Sequence, residues 1–273
     1  MKKQSKVDSK QKALAILHGG VSELMQGTGW RQALEFRSRF HNYSFLNTSL
    51  ILAQCPDARL VADYRKWQEL GRQVRKGEKS ISILAPIIKK DKEDPDKKFV
   101  AGFRAVPVFD ISQTDGEPVP GPESPKVLEG DGASIRQATN VLERYCVEQG
   151  IQLTRDLEHG RALGIYRPTT KSIALKSYLP ALQELKTLTH ELAHALLHDS
   201  TSDRVVAELE AESSAFLVCH QLGLDTSAYS FAYLAGWADT LETLIAAGDR
   251  ACKAAEKILE RLFQREAGAG VAA

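Results

Sequence analysis

The stretch Thr187-Leu-Thr-His190-Glu191-Leu192-Ala193-His194-Ala195-Leu196-Leu197-His198 decides how the second half of this chain folds and what chemistry it can hold. Leu185, Leu188, Leu192 and Leu196 recur at three- and four-residue spacing with no Gly or Pro between them, the pattern of an amphipathic helix. On that helix His190 and His194 stand one turn apart on one face, so both imidazoles reach a single tetrahedral ion, and Glu191 projects beside them toward a water on that ion. This is the H-E-x-x-H arrangement of zinc peptidases. With 7 His in 273 residues, chance produces it in roughly one chain in a hundred of this composition, so the surrounding sequence has to carry the assignment.

Two histidines leave zinc short of a protein ligand. Glu208, Glu210 and Glu212 on the next helix are the candidates. Glu208 and Glu212 share a helix face, whereas Glu210 points away from it and is expected to be solvated. Ser213, Ser214 and Ala215 follow Glu212 and allow two helices to approach closely, so Glu212 is the expected ligand, with Glu208 as its neighbour or replacement. His198 extends the same face of the first helix, but three successive turns of a straight helix converge poorly on one ion. It is expected beside the site or on the surface, and His159 and His220 have weaker claims. In such a site zinc lowers the pKa of its bound water toward ~7, and Glu191 accepts the proton and later passes it to the leaving amine. Tyr229 or Tyr233 is a candidate donor to the oxyanion.

Working outward, Asp203 or Ser202 caps the acidic helix, which runs to Leu222 before Gly223. A further helical region holds Tyr233, Trp237, Leu241 and Leu244, and a last helix spans 251–263. Ahead of the H-E-x-x-H helix, 163–175 reads as a hairpin turning at Pro168 to Lys171, preceded by a short strand at 151–154 and a helix from Ser134 to Gln149. Between Ser112 and Ala133 come four prolines and four glycines with almost nothing to bury, a linker. In the first half, helices are expected at 11–18, at 31–40, from the cap Ser44 to Gln54, and over 61–70. The period then changes to that of strands at 80–85 and 99–109, on either side of a charged loop around Pro95. The fold class is α+β in two domains: a helical and antiparallel-sheet domain over 11–110, a linker over 111–132, and a mainly helical domain with a small sheet over 133–265.

At 43 % hydrophobic and 26 % charged, the composition is ordinarily globular. Cys55, Cys146, Cys219 and Cys252 form no C-x-x-C pair, which fits a reducing compartment, and a cytoplasmic protein is implied. The short apolar run Ala13 to Leu17 is too brief for a signal peptide, and no segment approaches the ~20 apolar residues of a membrane span, so no membrane association is expected. The net charge of +1 hides a split: residues 1–110 hold 21 Lys+Arg against 12 Asp+Glu, leaving 15 against 23 for the rest. A basic half of this kind suits a polyanion.

Nucleic-acid binding needs cations for phosphates and rings on which bases stack. Arg37, Arg39, Arg65, Lys66, Arg72, Arg75, Lys76 and Lys79 alternate here with Trp30, Phe36, Phe40, Tyr43, Phe45, Tyr64 and Trp67, although Phe36, Phe45 and Trp67 are expected in the core. No helix-turn-helix or zinc-finger pattern offers a major-groove reader, so single strands are the better target.

The stretch Glu35-Phe-Arg-Ser-Arg-Phe-His-Asn-Tyr-Ser44-Phe-Leu-Asn47-Thr-Ser-Leu-Ile51-Leu-Ala-Gln54, then Trp67, then Gly71-Arg-Gln-Val-Arg-Lys-Gly77-Glu-Lys79, resembles the N-terminal domain of ArdC-type antirestriction proteins. The second half is similar to their zincin-like metallopeptidase domain, through His190-Glu-Leu-Ala-His194, Ala211-Glu212 before Ser-Ser-Ala-Phe216-Leu, Tyr233-Leu and Trp237. The likeness covers about 25–110 and 132–260. It implies a mobile-element protein whose first domain binds single-stranded DNA and whose second is a zinc peptidase acting on an unknown protein substrate. It also implies protection of incoming plasmid DNA from restriction during conjugation. Mapped here, it makes His190, His194 and Glu212 the zinc ligands and Glu191 the catalytic residue. Asn47 in its motif joins Arg37, Arg39, Tyr43, Arg72, Arg75, Lys76 and Lys79 as candidate nucleic-acid contacts. The competing reading, a DNA-binding protein with a structural zinc, leaves Glu191 without a task.

Overall fold

A computed structural model describes residues 27–40, 43–90, 98–119, 132–158, 160–224 and 240–263. The chain divides into two compact units, Met1–Leu24 with Arg39–Glu123, and Met25–Ser38 with Ser124–Ala273. The expected helix at 11–18, the loop around Pro95, and Tyr229, Tyr233 and Trp237 lie outside the described residues.

The second unit begins with α1 (Gly27–Arg37), which the charge pattern grouped with the basic half. Trp30 is fully buried and its Nε1 donates to Ser213 Oγ at 2.9 Å, while Arg31 lies over the Phe216 ring.

In the first unit, α2 (Phe45–Gln54) starts where Ser44 accepts a hydrogen bond from the Asn47 amide. The expected helix over 61–70 is split: β1 (Val61–Ala62) is extended, and α3 (Tyr64–Glu69) starts only after the cap Asp63. β2 (Arg72–Val74) leads through a turn, with Gly77 at φ 93, into a long antiparallel ribbon of β3 (Ile81–Lys90) and β4 (Lys98–Asp110). β1 pairs with the end of β4, giving the order β1-β4-β3. The free edge of β3 is closed by side chains of α2. Asn47 bonds both ways with the Leu84 backbone at 2.8 and 2.9 Å, and Gln54 does the same with Ser82 at 2.9 Å in each direction. These amides satisfy the donors and acceptors that a strand edge otherwise exposes. A short 3-10 turn at Ile111–Gln113, capped by Asp110, then feeds β5 (Thr114–Gly116), which pairs with β2 although its composition reads as linker.

The rest of the second unit is helical around a small sheet. α4 (Gly132–Glu148) precedes β6 (Gln152–Thr154), β7 (Gly164–Arg167) and β8 (Ser172–Leu175), ordered β6-β8-β7 with a parallel and an antiparallel pair. Lys171 takes φ 47 in the hairpin turn that the sequence marks. α5 (Ala181–Leu197), α6 (Arg204–Gln221, capped by Asp203) and α7 (Leu241–Phe263) complete the unit, α7 being one long helix where the sequence suggested a break. Leu185, Leu188 and Leu192 of α5 are fully buried, so the opposite face, bearing the histidines, is left to the solvent side. Among the described residues no helix is long and apolar enough to cross a membrane, and no cysteine is in a disulfide.

Candidate metal centre

α5 turns His190 and His194 so that their Nε2 atoms lie 3.1 Å apart. Glu208 of α6 brings Oε2 to 3.5 Å from His190 Nε2 and 3.7 Å from His194 Nε2. Four-coordinate zinc with nitrogen and oxygen ligands at about 2.1 Å needs donors about 3.4 Å apart. The three atoms fit that requirement, and His190, His194 and Glu208 form the metal-competent group among the described residues.

The carboxylate facing both Nε2 atoms is therefore Glu208, in the place the sequence reading gave to Glu212. Glu212 lies one turn further along α6, where its Oε2 meets the other nitrogen of His190, Nδ1, at 3.0 Å. With Glu212 ionised, Nδ1 is the donor in that contact, so Nε2 is the nitrogen that binds a metal once its proton has left. Burial favours a neutral His190, but the hydrogen bonds to Glu208 and Glu212 outweigh it and raise its pKa to about 10. The same bonds, to His190 and then His194, hold the Glu208 carboxyl well below the usual range against the effect of burial. A cluster that binds protons this avidly is one from which a divalent cation displaces them.

Glu191 is 7 % exposed and its Oε2 accepts the Tyr166 amide at 2.7 Å. Burial raises its pKa, opposed by the two imidazoles. Strand β7 approaches α5 this closely because position 164 is glycine. A Cβ there would stand 2.7 Å from Thr187 Cγ2 and 2.8 Å from Glu191 Cγ.

His194 is held from behind. Its Nδ1 lies 2.9 Å from His198 Nδ1, and His198 Nε2 lies 3.0 Å from Glu210 Oε2. The expectation of a solvated Glu210 is corrected: the residue is 1 % exposed, and its other oxygen binds the Arg250 guanidinium of α7. Glu210 sits about 200° round α6 from Glu208, so it faces α7 rather than the metal. A charge recurring off the ligand face, with an arginine forty residues later, was the only signal for it. His220 stacks on Phe216, and His159, Tyr229 and Tyr233 are outside the described residues.

The centre opens into a cleft of about 710 Å³ whose rim carries Leu163 and Ile165, each 37 % exposed. Its lining includes Arg204, one turn ahead of Glu208 on α6.

The candidate nucleic-acid residues fall into two groups. Four are engaged within the fold: Arg37 is 5 % exposed with Nη2 2.6 Å from Glu256, Asn47 holds β3, Tyr43 donates to the Val61 carbonyl at 2.9 Å, and Arg72 binds Thr114 and the carbonyls of Gly116 and Glu117. Arg75 is exposed but paired with Glu78 and Asp115. Arg39, Lys76 and Lys79 are exposed.

Residues 18–114 match the N-terminal domain of the anti-restriction factor ArdC, and residues 146–228 match the IrrE N-terminal-like domain of the M78 peptidases. The chain is 25 % identical over 245 residues to the uncharacterized protein pXO2-81 of Bacillus anthracis, and 27 % identical over 233 residues to the uncharacterized protein y4eC of Sinorhizobium fredii. These matches take in 74 % and 76 % of this chain, but only 42 % of the first relative's length and 71 % of the second's. The fold is that of the ArdC antirestriction protein of plasmid R388. Its metal-free crystal structure superposes with a TM-score of 0.52 at 24 % identity, covering 81 % of this chain and 86 % of that one. Its Mn(II)-bound structure gives 0.52 at 23 %, covering 86 % and 98 %. The chain thus pairs an ArdC N-terminal domain with a domain of metallopeptidase-like fold.

Proposed function

We propose that this chain, built from an ArdC N-terminal domain and an IrrE-like domain, is an antirestriction protein of a mobile element that binds single-stranded DNA and hydrolyses peptide bonds at a zinc centre. In this reading DNA binding belongs to the unit that carries β1 to β5, and hydrolysis to the unit that carries α1 and α4 to α7. The observation that carries the reading is the convergence of His190 Nε2, His194 Nε2 and Glu208 Oε2 at the floor of an open cleft, with Glu191 beside them. His190, His194 and Glu208 are the ligands. The Mn(II) in the R388 ArdC structure supports a divalent ion at this kind of site, and the nitrogen-rich donor set favours zinc.

Held by His190, His194 and Glu208, zinc would supply Lewis acidity to a scissile carbonyl and to a water. Glu191 accepts the proton of that water. Its partly desolvated carboxyl, raised by burial, then delivers the proton to the leaving amine. The Tyr166 amide holds one carboxylate oxygen and leaves the other to do this work. Glu212 and His198 keep the two ligand imidazoles in register. The apolar rim at Leu163 and Ile165 receives the substrate chain and excludes water.

Zinc titration by calorimetry tests the ligand set. One zinc per chain is expected, with binding abolished in His194→Ala, weakened about a hundredfold in Glu208→Gln, and only about tenfold in Glu212→Gln, the scale for a partner behind a ligand. If Glu208→Gln binds like wild type while Glu212→Gln does not, Glu208 is not the ligand. The DNA part predicts oligonucleotide binding that falls steeply with salt, and no detectable binding at low salt removes it.

A further inference from the structure

Ile88, Phe99, Val100 and Phe103, which are 60, 47, 56 and 47 % exposed, all sit at the far end of the β3–β4 ribbon. The near end is covered: Ile81, Ile83, Leu84 and Val108 are buried, and Asn47 and Gln54 close the β3 edge. Past the irregularity between Pro86 and Ile88, the ribbon shows apolar side chains on both faces. Register puts Lys89 opposite Phe99 and Ala85 opposite Arg104, on one face. The extra β4 residue at the irregularity puts Ile88 opposite Val100 and Pro86 opposite Phe103 on the other. Lys89 and Arg104 are exposed, and neither makes an ion pair or side-chain hydrogen bond with the described residues.

A contiguous exposed apolar patch marks a contact surface, and its chemistry names the partner. A ring flanked by cations that make no ion pair among the described residues suits a stacked base with phosphates beside it. A two-stranded ribbon also fits the major groove of a duplex, but reading base edges there takes polar side chains, and these are phenyl and aliphatic groups. A protein partner would favour an apolar centre without lysine. Phe99 shares its face with both Lys89 and Arg104, so its ring can take a base while the two cations meet phosphates. The residues that charge alone singled out, Arg37 and Arg72, are meanwhile engaged within the fold.

We propose that one face of the far end of the β3–β4 ribbon, with Phe99 as stacking platform and Lys89 and Arg104 on the same face as phosphate contacts, is the surface on which single-stranded nucleic acid lies. This rests on the DNA reading above and adds where the strand binds. It is tested on the full chain by anisotropy titration of a labelled 20-nucleotide mixed-sequence oligonucleotide. Phe99→Ala is expected to weaken binding fivefold or more with an unchanged circular dichroism melt, and Phe99→Tyr to restore it. Lys89→Gln/Arg104→Gln is expected to lower the slope of log affinity against log salt. If wild type binds and Phe99→Ala stays within fivefold, the ribbon proposal is overturned while the DNA reading stands. If wild type does not bind at low salt, both fall.

Discussion

Glu210 Oε2 lies 3.0 Å from His198 Nε2, joining a buried carboxylate of α6 to the imidazole that ends α5. His198 in turn meets His194 Nδ1 at 2.9 Å, so the pair fixes which nitrogen of His194 faces the metal. Removing the carboxylate leaves Arg250 unpaired and the His198 ring unanchored. Glu210→Gln is expected to weaken zinc binding about tenfold and to alter the visible spectrum of a cobalt-substituted protein, with the fold retained. An unchanged spectrum and affinity would show that the relay is packing alone.

Gly164 sets the distance from β7 to α5. Gly164→Ala places a methyl 2.7 Å from Thr187 Cγ2 and 2.8 Å from Glu191 Cγ. The expected cost is about 1–3 kcal/mol of stability, and hydrolysis should fall more than zinc content because Glu191 moves while the ligands stay. Thr187→Ser in the same chain removes one of the two clashes and should recover part of the loss. Urea melts and metal analysis of the single and double variants decide the matter.

Trp30 ties α1 into the second unit through Ser213. Trp30→Ala is expected to cost about 3–5 kcal/mol and to lower the melting temperature of the second unit. A fragment starting at residue 124 should be less stable than one carrying 25–38 fused ahead of it. Equal stability of the two fragments would show that α1 is dispensable.

In the metal-free protein His190 has its pKa raised to about 10 from an ordinary value near 6.5. A group raised in the folded state contributes stability that is complete below the unfolded value and is lost as pH rises through the folded one. The metal-free chain should therefore lose stability between about pH 6.5 and 10, and apparent zinc affinity should rise over the same range as the competing proton leaves. Urea unfolding of chelator-treated protein across that range checks it. Stability that rises with pH would contradict it.

Much of this site is legible in the sequence because it is local. His190, Glu191 and His194 are placed by the geometry of one helix, and Ser44, Asp203 and Gly223 mark helix ends by their own chemistry. The choice between Glu208 and Glu212 is not local. Both lie on one face of α6, and the offset of α6 along α5, which no residue spacing records, brings Glu208 rather than Glu212 to face both Nε2 atoms. Glu210 was misread for the same reason, since its burial depends on Arg250 of α7. Gly164 and Trp30 are likewise tertiary: one is a glycine that only a neighbouring helix requires, the other a ring whose partner is 183 residues away. Thr114 to Gly116 read as linker because a three-residue strand is too short to show a period.

The central claim, that Glu191 acts at a metal held by His190, His194 and Glu208, is tested most directly by mass-spectrometric mapping of new protein N-termini in a bacterial host lysate. Wild type and Glu191→Gln are compared, each loaded with one equivalent of zinc. The account predicts discrete new termini with wild type that are absent with Glu191→Gln, although both bind zinc equally. Identical patterns of termini from the two proteins would contradict it.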